Sequence, residues 1–167
     1  MKPFPILATE RLTLRQLADS DIQDIYRLRS DRSINKYLDR PPSKSLEDAL
    51  EFINKIKNNS LSYWAIAKKE NEKLVGTICL FNVSEAQQTC EIGYELLTEY
   101  QGKGIMREAA KKIIEYATQT LGINTIDAYT HKDNQSSTKL LEELNFKNIG
   151  FDETNSDLML FRLNKHI

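Results

Sequence analysis

Apolar residues recur along this chain with two different periods. Over 11-RLTLRQL-17, Leu12 and Leu14 alternate with Thr13 and Arg15, the two-residue period of a half-buried strand. Three later segments carry a strand signal: 62-SYWAIAK-68, 73-KLVGTICLF-81 and 89-TCEIGYELL-97. The first two are joined by the polar turn 69-KENE-72, and links this short predict a meander of antiparallel strands. The helical period governs Ile22, Ile25, Tyr26 and Arg29 behind a cap at Ser20 or Asp21, and Leu46, Ala49, Leu50, Ile53 and Ile56 behind Ser45, with Asp48 in capping-box position. It is most regular in Met106, Ala109, Ala110, Ile113, Ile114, Ala117 and Leu121, a stripe that Gly122 stops. Beyond it, 124-NTIDAYT-130 reads as a strand, 134-NQSSTKLLEEL-144 as a helix capped by Asn134, and 147-KNIGFD-152 and 157-DLMLFRL-163 as two closing strands. Between 30 and 45 the periodicity fades and Pro41-Pro42 stops any helix, so this is the longest expected loop, of the kind that often holds substrate.

Strands, a crossover helix, then strand and helix again predict an α+β or α/β sheet packed by helices on both faces. At 167 residues, with no repeat, low-complexity segment or linker, the expectation is one domain over 1–167. The 23 Lys+Arg against 24 Asp+Glu leave a formal charge of −1, so no global basic field points to nucleic acid and no acidic excess to disorder. Cys79 and Cys90 form no CxxC pair and read as reduced core residues. The two histidines, His131 and His166, join no Cys/His/Asp cluster with metal-ligand spacing, so no metal is expected. The opening MKPFPILATERLTLRQL lacks the apolar stretch of a signal peptide, and nowhere do 18 apolar residues run together; a soluble, cytoplasmic protein without a membrane partner is expected.

Two of the six glycines stand one residue apart in 100-YQGKGIMREAAKKIIEYATQTLG-122. A strand ending at Leu97, a turn from Thr98 to Lys103 and a helix starting near Gly104 aim several N–H groups at one point. The first turn of a helix has no internal acceptor for its amides, and its dipole favours an anion such as a diphosphate. Gly102 and Gly104 would let the backbone approach that anion without a Cβ in the way, and Lys103 or Arg107 would add charge at the rim. The plainer alternative is a strand-to-helix turn that uses glycine for geometry alone. Residue identity excludes two commoner phosphate loops. A P-loop needs GxxxxGK and then Ser or Thr, whereas Gly104 is followed by Ile105 and Met106; a dinucleotide fingerprint needs a third glycine where Arg107 stands.

Downstream, 131-HKDNQSSTKLLEELNF-146 puts Asn134 and Ser137 on the first turn of another helix, after a strand expected beside the one ending at Leu97. With this second motif the chain resembles the GCN5-related N-acetyltransferases, and more narrowly the RimJ/RimL type that acetylates protein N-terminal amines. The likeness covers nearly the whole chain. The opening 9-TERLTLRQL-17 resembles that subfamily's first strand, 91-EIGYEL-96 its central strand, 101-QGKGIMREA-109 its pyrophosphate loop and helix, and 134-NQSSTKLLEELNF-146 its NxxSxxLLxxxxF helix. Gln101 and Gly104 match the family's [RQ]xxGx[GA] loop. Met106 stands where Gly or Ala is usual, but its side chain also fits the apolar helix face, so binding is expected to survive.

The resemblance implies a mixed, mostly antiparallel sheet splayed between two parallel strands, and acetyl-CoA as cosubstrate in the gap between the strand ending at Leu97 and strand 124–130. Backbone of Leu96, Leu97 and Thr98 would pair with pantetheine like an added strand. Gln101 and the amides of Gly102, Lys103, Gly104, Ile105, Met106 and Arg107 would hold the diphosphate, and Asn134 would orient pantetheine. Glu91 is the candidate base, acting through water; its plainer reading is a strand carboxylate with no role. An N–H near Leu96 would stabilise the oxyanion. Where many relatives place a Tyr, seven residues after the Asn, this chain has Leu141, so Ser137 becomes the RimL-like candidate to serve the leaving thiolate, against a role in the helix's first turn. Tyr129 is a lesser candidate donor. Tyr63 and Trp64 pack in the core or line the acceptor pocket, and Arg29, Tyr37 and Arg40 fall in the region that shapes the acceptor site. The acceptor expected is a primary amine, with a peptide or ribosomal-protein N-terminus favoured. An α-amine of pKa roughly 7.7 to 8.0 needs less help from a base than a lysine near 10.4. The alternatives are a polyamine or aminoglycoside acetyltransferase and a non-catalytic acyl-CoA-binding module. The protein is expected to act as a monomer or homodimer, without direct nucleic-acid contact.

Overall fold

The computed structural model describes residues 2–60 and 62–165; His166 lies outside the described residues. In chain order the elements are β1 (Leu7–Ala8), β2 (Leu12–Arg15), α1 (Ile22–Ser30), α2 (Arg32–Asn35), α3 (Leu46–Asn59), β3 (Tyr63–Lys68), β4 (Leu74–Ser84), β5 (Thr89–Leu96), α4 (Ile105–Gln119), β6 (Thr125–His131), α5 (Gln135–Glu143), β7 (Lys147–Phe151) and β8 (Leu158–Asn164). The hydrogen-bonded strand order is β1-β2-β3-β4-β5-β6-β8-β7, mostly antiparallel with β5 and β6 parallel, which is the expected fold class. By internal contacts the chain forms two compact units, Met1–Cys79 with Tyr94–Lys112, and Leu80–Gly93 with Ile113–Ile167.

In the first unit, β2 pairs with β3, Leu14 opposite Ile66, and β3 pairs with β4, Ala65 opposite Thr77. Leu17, Ile25, Leu28, Ala49, Ile53, Ala65, Leu74 and Leu97 form a buried cluster, so the apolar faces of α1 and α3 close on this part of the sheet. Trp64 is fully buried with its Nε1–H on the Pro5 carbonyl at 2.8 Å, the polar partner a buried indole needs. Ser45 caps α3, accepting from the Asp48 amide at 3.2 Å, but Asp48 reaches back to the Lys44 amide at 2.8 Å rather than to that of Ser45. Asp21 precedes α1 without a side-chain cap; its carboxylate holds Arg15 through two 2.8 Å bonds and the Ala18 amide at 2.8 Å, tying β2 to the start of α1.

Two elements had no legible signal. The two residues of β1 are too few for a period, and α2 is a single turn inside the expected loop, capped by the Asp31 carboxylate on the Ser33 and Ile34 amides. That loop is pinned: Asn35 Nδ2 donates to the carbonyls of Leu28 and Asp31 at 2.8 and 2.7 Å, and the Ser43 amide returns to the Arg29 carbonyl at 3.0 Å.

In the second unit, β5 runs parallel to β6 from Thr89 opposite Thr125 to Glu91 opposite Asp127, and β6 continues to His131 against β8. Cys90, Ile126, Ala128, Phe161 and Leu163 are buried. The predicted stripe of α4, whose residues up to Lys112 belong to the first unit, is buried from Met106 to Ala117, but the helix stops at Gln119, before Leu121. Gly122, at φ +70°, then turns the chain so that the Ile123 amide meets the Ala117 carbonyl at 2.9 Å.

Candidate acetyl-transfer site

The glycine turn lies wholly within the first unit. Gly102 and Gly104 have φ of +75° and +76°, the left-handed conformation that glycine adopts without a Cβ penalty. A Cβ on Gly102 would meet no atom within 4 Å, and one on Gly104 would come 3.4 Å from the Arg11 guanidinium, so the chain leaves the outer side of the turn open. Helix α4 closes its first bond from the Glu108 amide to the Gly104 carbonyl at 3.1 Å, and the amides of Ile105, Met106 and Arg107 have no acceptor within the helix. Ile105 and Met106 are buried, whereas Gln101, Gly102, Lys103, Gly104 and Arg107 are exposed. The Met106 side chain is therefore packed into the core.

A brace sets the pitch of this turn. Arg11 Nε bonds Glu108 Oε1 at 2.7 Å while its Nη1 donates to the Lys103 carbonyl at 3.1 Å, and Thr9 Oγ1 donates to Glu108 Oε2 at 2.5 Å. Burial alone would raise the Glu108 pKa, but the bonds from Thr9 and Arg11 outweigh it and hold the carboxyl below its ordinary value. A cavity of about 370 Å³ flanks the turn, lined by Arg11, Lys68, Lys69, Tyr100 and Lys103 among others.

At the end of β5 the backbone is less open than the motif implies. The Leu97 amide donates to the Val75 carbonyl at 2.9 Å, the Leu97 carbonyl accepts from Tyr100 at 3.0 Å, and Thr98 starts a 3-10 turn whose first carbonyl takes the Gln101 amide at 3.1 Å. Chain folding thus engages the Leu97 amide and carbonyl and the Thr98 carbonyl. Alternation along the strand turns the Leu96 N–H away from β4, since the next amide faces it. Gln101 Nε2 donates to the Leu96 carbonyl at 3.0 Å, so the glutamine of the loop motif steadies the strand end itself.

Sequence reasoning missed Glu95. Its carboxylate is buried, takes Arg40 Nη2 at 2.5 Å and accepts from Thr77 Oγ1 at 3.3 Å; the Tyr63 hydroxyl lies 3.4 Å from the same Thr77 oxygen. Arg40 is held in turn by Nε on Asn35 Oδ1 at 2.8 Å. Arg29 completes the group, its guanidinium carbon 3.9 Å from the centroid of the Phe52 ring. Burial, then repulsion from Arg40, pull the Arg29 pKa below its ordinary value, while burial and the Glu95 charge raise that of Tyr63. The only clue in sequence was an arginine at the end of the first helix, another in the loop and a second glutamate in 91-EIGYEL-96.

In the second unit, Glu91 is half-buried on β5, and its carboxylate accepts a short hydrogen bond from Asn82 Nδ2. Across the strand pair stands Asp127, which Arg162 holds through Nε and Nη2 at 2.7 and 3.0 Å. Tyr129 is exposed, and burial of part of its ring, then Glu91 and Asp127, raise its phenol. Burial, Asp127 and Glu91 push the Cys90 thiol up to about 12. Asn134 caps α5 by accepting from the Ser137 amide at 3.3 Å, and Leu141 is buried. Among the described residues no group of His, Cys, Asp and Glu could hold a metal ion, and no helix is long and apolar enough to cross a membrane.

The model of the acetyltransferase (GNAT) domain matches residues 11–147. The N-acetyltransferase p20 of Bacillus licheniformis, described as uncharacterised, is 35% identical over 86% of this chain and 83% of its own. The ribosomal protein uS5-alanine N-acetyltransferase of Escherichia coli is 27% identical over 87% of this chain and 79% of its own. Among solved structures, spermidine N-acetyltransferase from Vibrio cholerae, in complex with CoA and spermine, superposes with a TM-score of 0.81 over 93% of this chain and 96% of its own; at 22% identity this is a likeness of fold.

Proposed function

Because the chain belongs to the GNAT acetyltransferase family, which transfers acetyl groups from acetyl-CoA, we propose that its acceptor is the N-terminal amine of a protein or peptide. The observation that carries the acceptor reading is the charge of the Glu95 group: two guanidiniums, Arg29 and Arg40, against one carboxylate already paired. A polyamine calls for uncompensated carboxylates, whereas a single α-amine does not. The name of the uS5-alanine relative agrees with this reading.

Acetyl-CoA supplies a thioester carbonyl and a thiolate leaving group. In the first unit the amides of Gly102 to Arg107 hold its diphosphate, and the positive φ at Gly102 and Gly104 fits that task because a backbone cradle needs both the left-handed turn and an open outer side. The Leu96 N–H donates to the negative charge that develops on the carbonyl oxygen. In the second unit Glu91 takes the amine's proton through water, and Asn134 presents Ser137, whose hydroxyl serves the departing sulfur. As the N–C bond forms and the C–S bond breaks, the amine's proton leaves for Glu91 and the thiolate is protonated from the Ser137 side. A thiol of pKa about 8.5 leaves well enough for so weak a donor.

The test is release of free CoA with a panel of Ala- and Ser-starting peptides, spermidine and an aminoglycoside. Saturable release with a peptide, absent with the polycations, is the expected result; the reverse overturns the acceptor reading. No release with any amine would instead favour a module that binds acyl-CoA without turnover.

A further inference from the structure

The guanidinium of Arg29 is half-buried with its carbon 3.9 Å from the Phe52 ring centroid, yet among the described residues no carboxylate forms an ion pair with it. The nearest candidate is already committed: Glu95 gives one oxygen to Arg40 and the other to Thr77. Arginine stays charged in proteins and presents a planar fork suited to a carboxylate. A half-buried fork over a ring and beside a second guanidinium carries an unspent positive charge, which burial and Arg40 make costly to keep. Its surroundings are tied by hydrogen bonds. Arg29 closes α1 with its carbonyl held by Ser43, and Arg40 is fixed by Asn35 and Glu95. Glu95 immediately precedes Leu96, the residue whose N–H serves the reacting carbonyl in the proposed function.

We infer that Arg29 is a specificity-determining residue that pairs with a carboxylate borne by the acceptor close to its reacting amine. This rests on the amine-acceptor reading above. Arg40 adds to the positive field, Glu95 keeps Arg40 from competing with Arg29, and the Phe52 ring packs against the Arg29 guanidinium. The carboxylate can come from an acidic side chain at the second position of a peptide or from the α-carboxylate of a free amino acid, and the two sources separate experimentally.

The experiment measures kcat/KM for two C-terminally amidated peptides that differ only in Ala-Glu against Ala-Gln at their start, with free alanine and spermidine alongside, in the wild type and in Arg29→Gln and Arg29→Lys. Preference for the Ala-Glu peptide by roughly tenfold or more, the scale of one charge-assisted pair, is expected, and Arg29→Gln should abolish it. Arg29→Lys should retain part of it, because the charge survives and the fork does not. The ratio of the two peptides is the readout, and a variant that folds poorly lowers both rates without changing it. Equal rates for both peptides in the wild type, or a preference that survives Arg29→Gln, overturn the inference while leaving peptide acetylation intact. Turnover of alanine but of neither peptide, lost in Arg29→Gln, supports the inference and removes the peptide reading. Turnover of spermidine that Arg29→Gln leaves unchanged overturns both.

Discussion

Arg40 closes on Glu95 at 2.5 Å, joining the long loop after α2 to the last turn-facing residues of β5. The glutamate side chain is 7% exposed and the arginine 20%, so the pair is largely shielded from water. Glu95→Gln leaves Arg40 and Arg29 facing each other without a counter-charge. Breaking a buried pair by removing one partner costs about 3–5 kcal/mol, and Arg40's partial exposure brings the expected loss to about 2 kcal/mol. A shift of the urea midpoint with an unchanged slope would report it; an unchanged midpoint would show that the pair adds nothing to stability.

At Gly76 there is no room for a side chain between β4 and β5. A Cβ there would stand 2.4 Å from the Glu95 carbonyl oxygen and 2.9 Å from a Leu96 methyl carbon, and backbone cannot yield as a flexible side chain does. Gly76→Ala should destabilise by about 1–3 kcal/mol, the usual scale of overpacking, and lower Tm. Because the forced shift falls on Glu95 and Leu96, the variant should also lose activity beyond its loss of folded protein at temperatures well under its Tm.

Gly102 offers the opposite case, since a Cβ meets nothing there and only the left-handed φ is strained. Gly102→Ala should cost about 1–2 kcal/mol of backbone strain. Calorimetric titration with acetyl-CoA should show weaker binding than that of a variant with equal strain far from the turn, such as Gly122→Ala. Equal affinity in both variants would argue against Gly102 as part of the cradle.

The brace on Glu108 makes stability depend on acid. Its folded pKa lies below the ordinary carboxyl value, because the bonds from Thr9 and Arg11 outweigh the effect of burial. A depressed carboxyl contributes stability that is present above its unfolded pKa, near 4.3, and is lost as pH falls through the lower folded value. Glu108→Gln should therefore flatten the fall in denaturation midpoint below about pH 4.3 while changing its slope little between pH 6 and 8. A parallel fall in wild type and variant would show that other carboxylates dominate.

Cys90 should resist alkylation in the folded protein. Its thiol is buried and its pKa raised to about 12 by burial, then by Asp127 and Glu91, so almost no thiolate exists at neutral pH. Mass spectrometry after iodoacetamide treatment should find Cys90 modified only once the chain is unfolded.

Several features were legible because neighbouring residues settle them. The stripe of α4, the stop at Gly122 and the Asn134 cap of α5 follow from spacing within each helix, and the glycine turn before α4 from two glycines set between a strand and a helix. Even Met106, out of pattern for the family, resolves locally, since its place in the apolar stripe carries its side chain into the core.

Glu91 and Glu95 show where this ends. Both occupy the odd positions of 91-EIGYEL-96, with the same period and the same chemistry, yet one is half-exposed on Asn82 and the other is buried on Arg40 and Thr77. By itself the sequence determined the longer elements, their order and the glycine turn before α4, because these rest on local periodicity and backbone conformation. Only the tertiary structure decided which charges are withdrawn from water. That depends on Arg29, Tyr63, Thr77 and Glu95 meeting from four different elements and Arg40 from a loop held by Asn35, and no spacing along the chain encodes such a meeting.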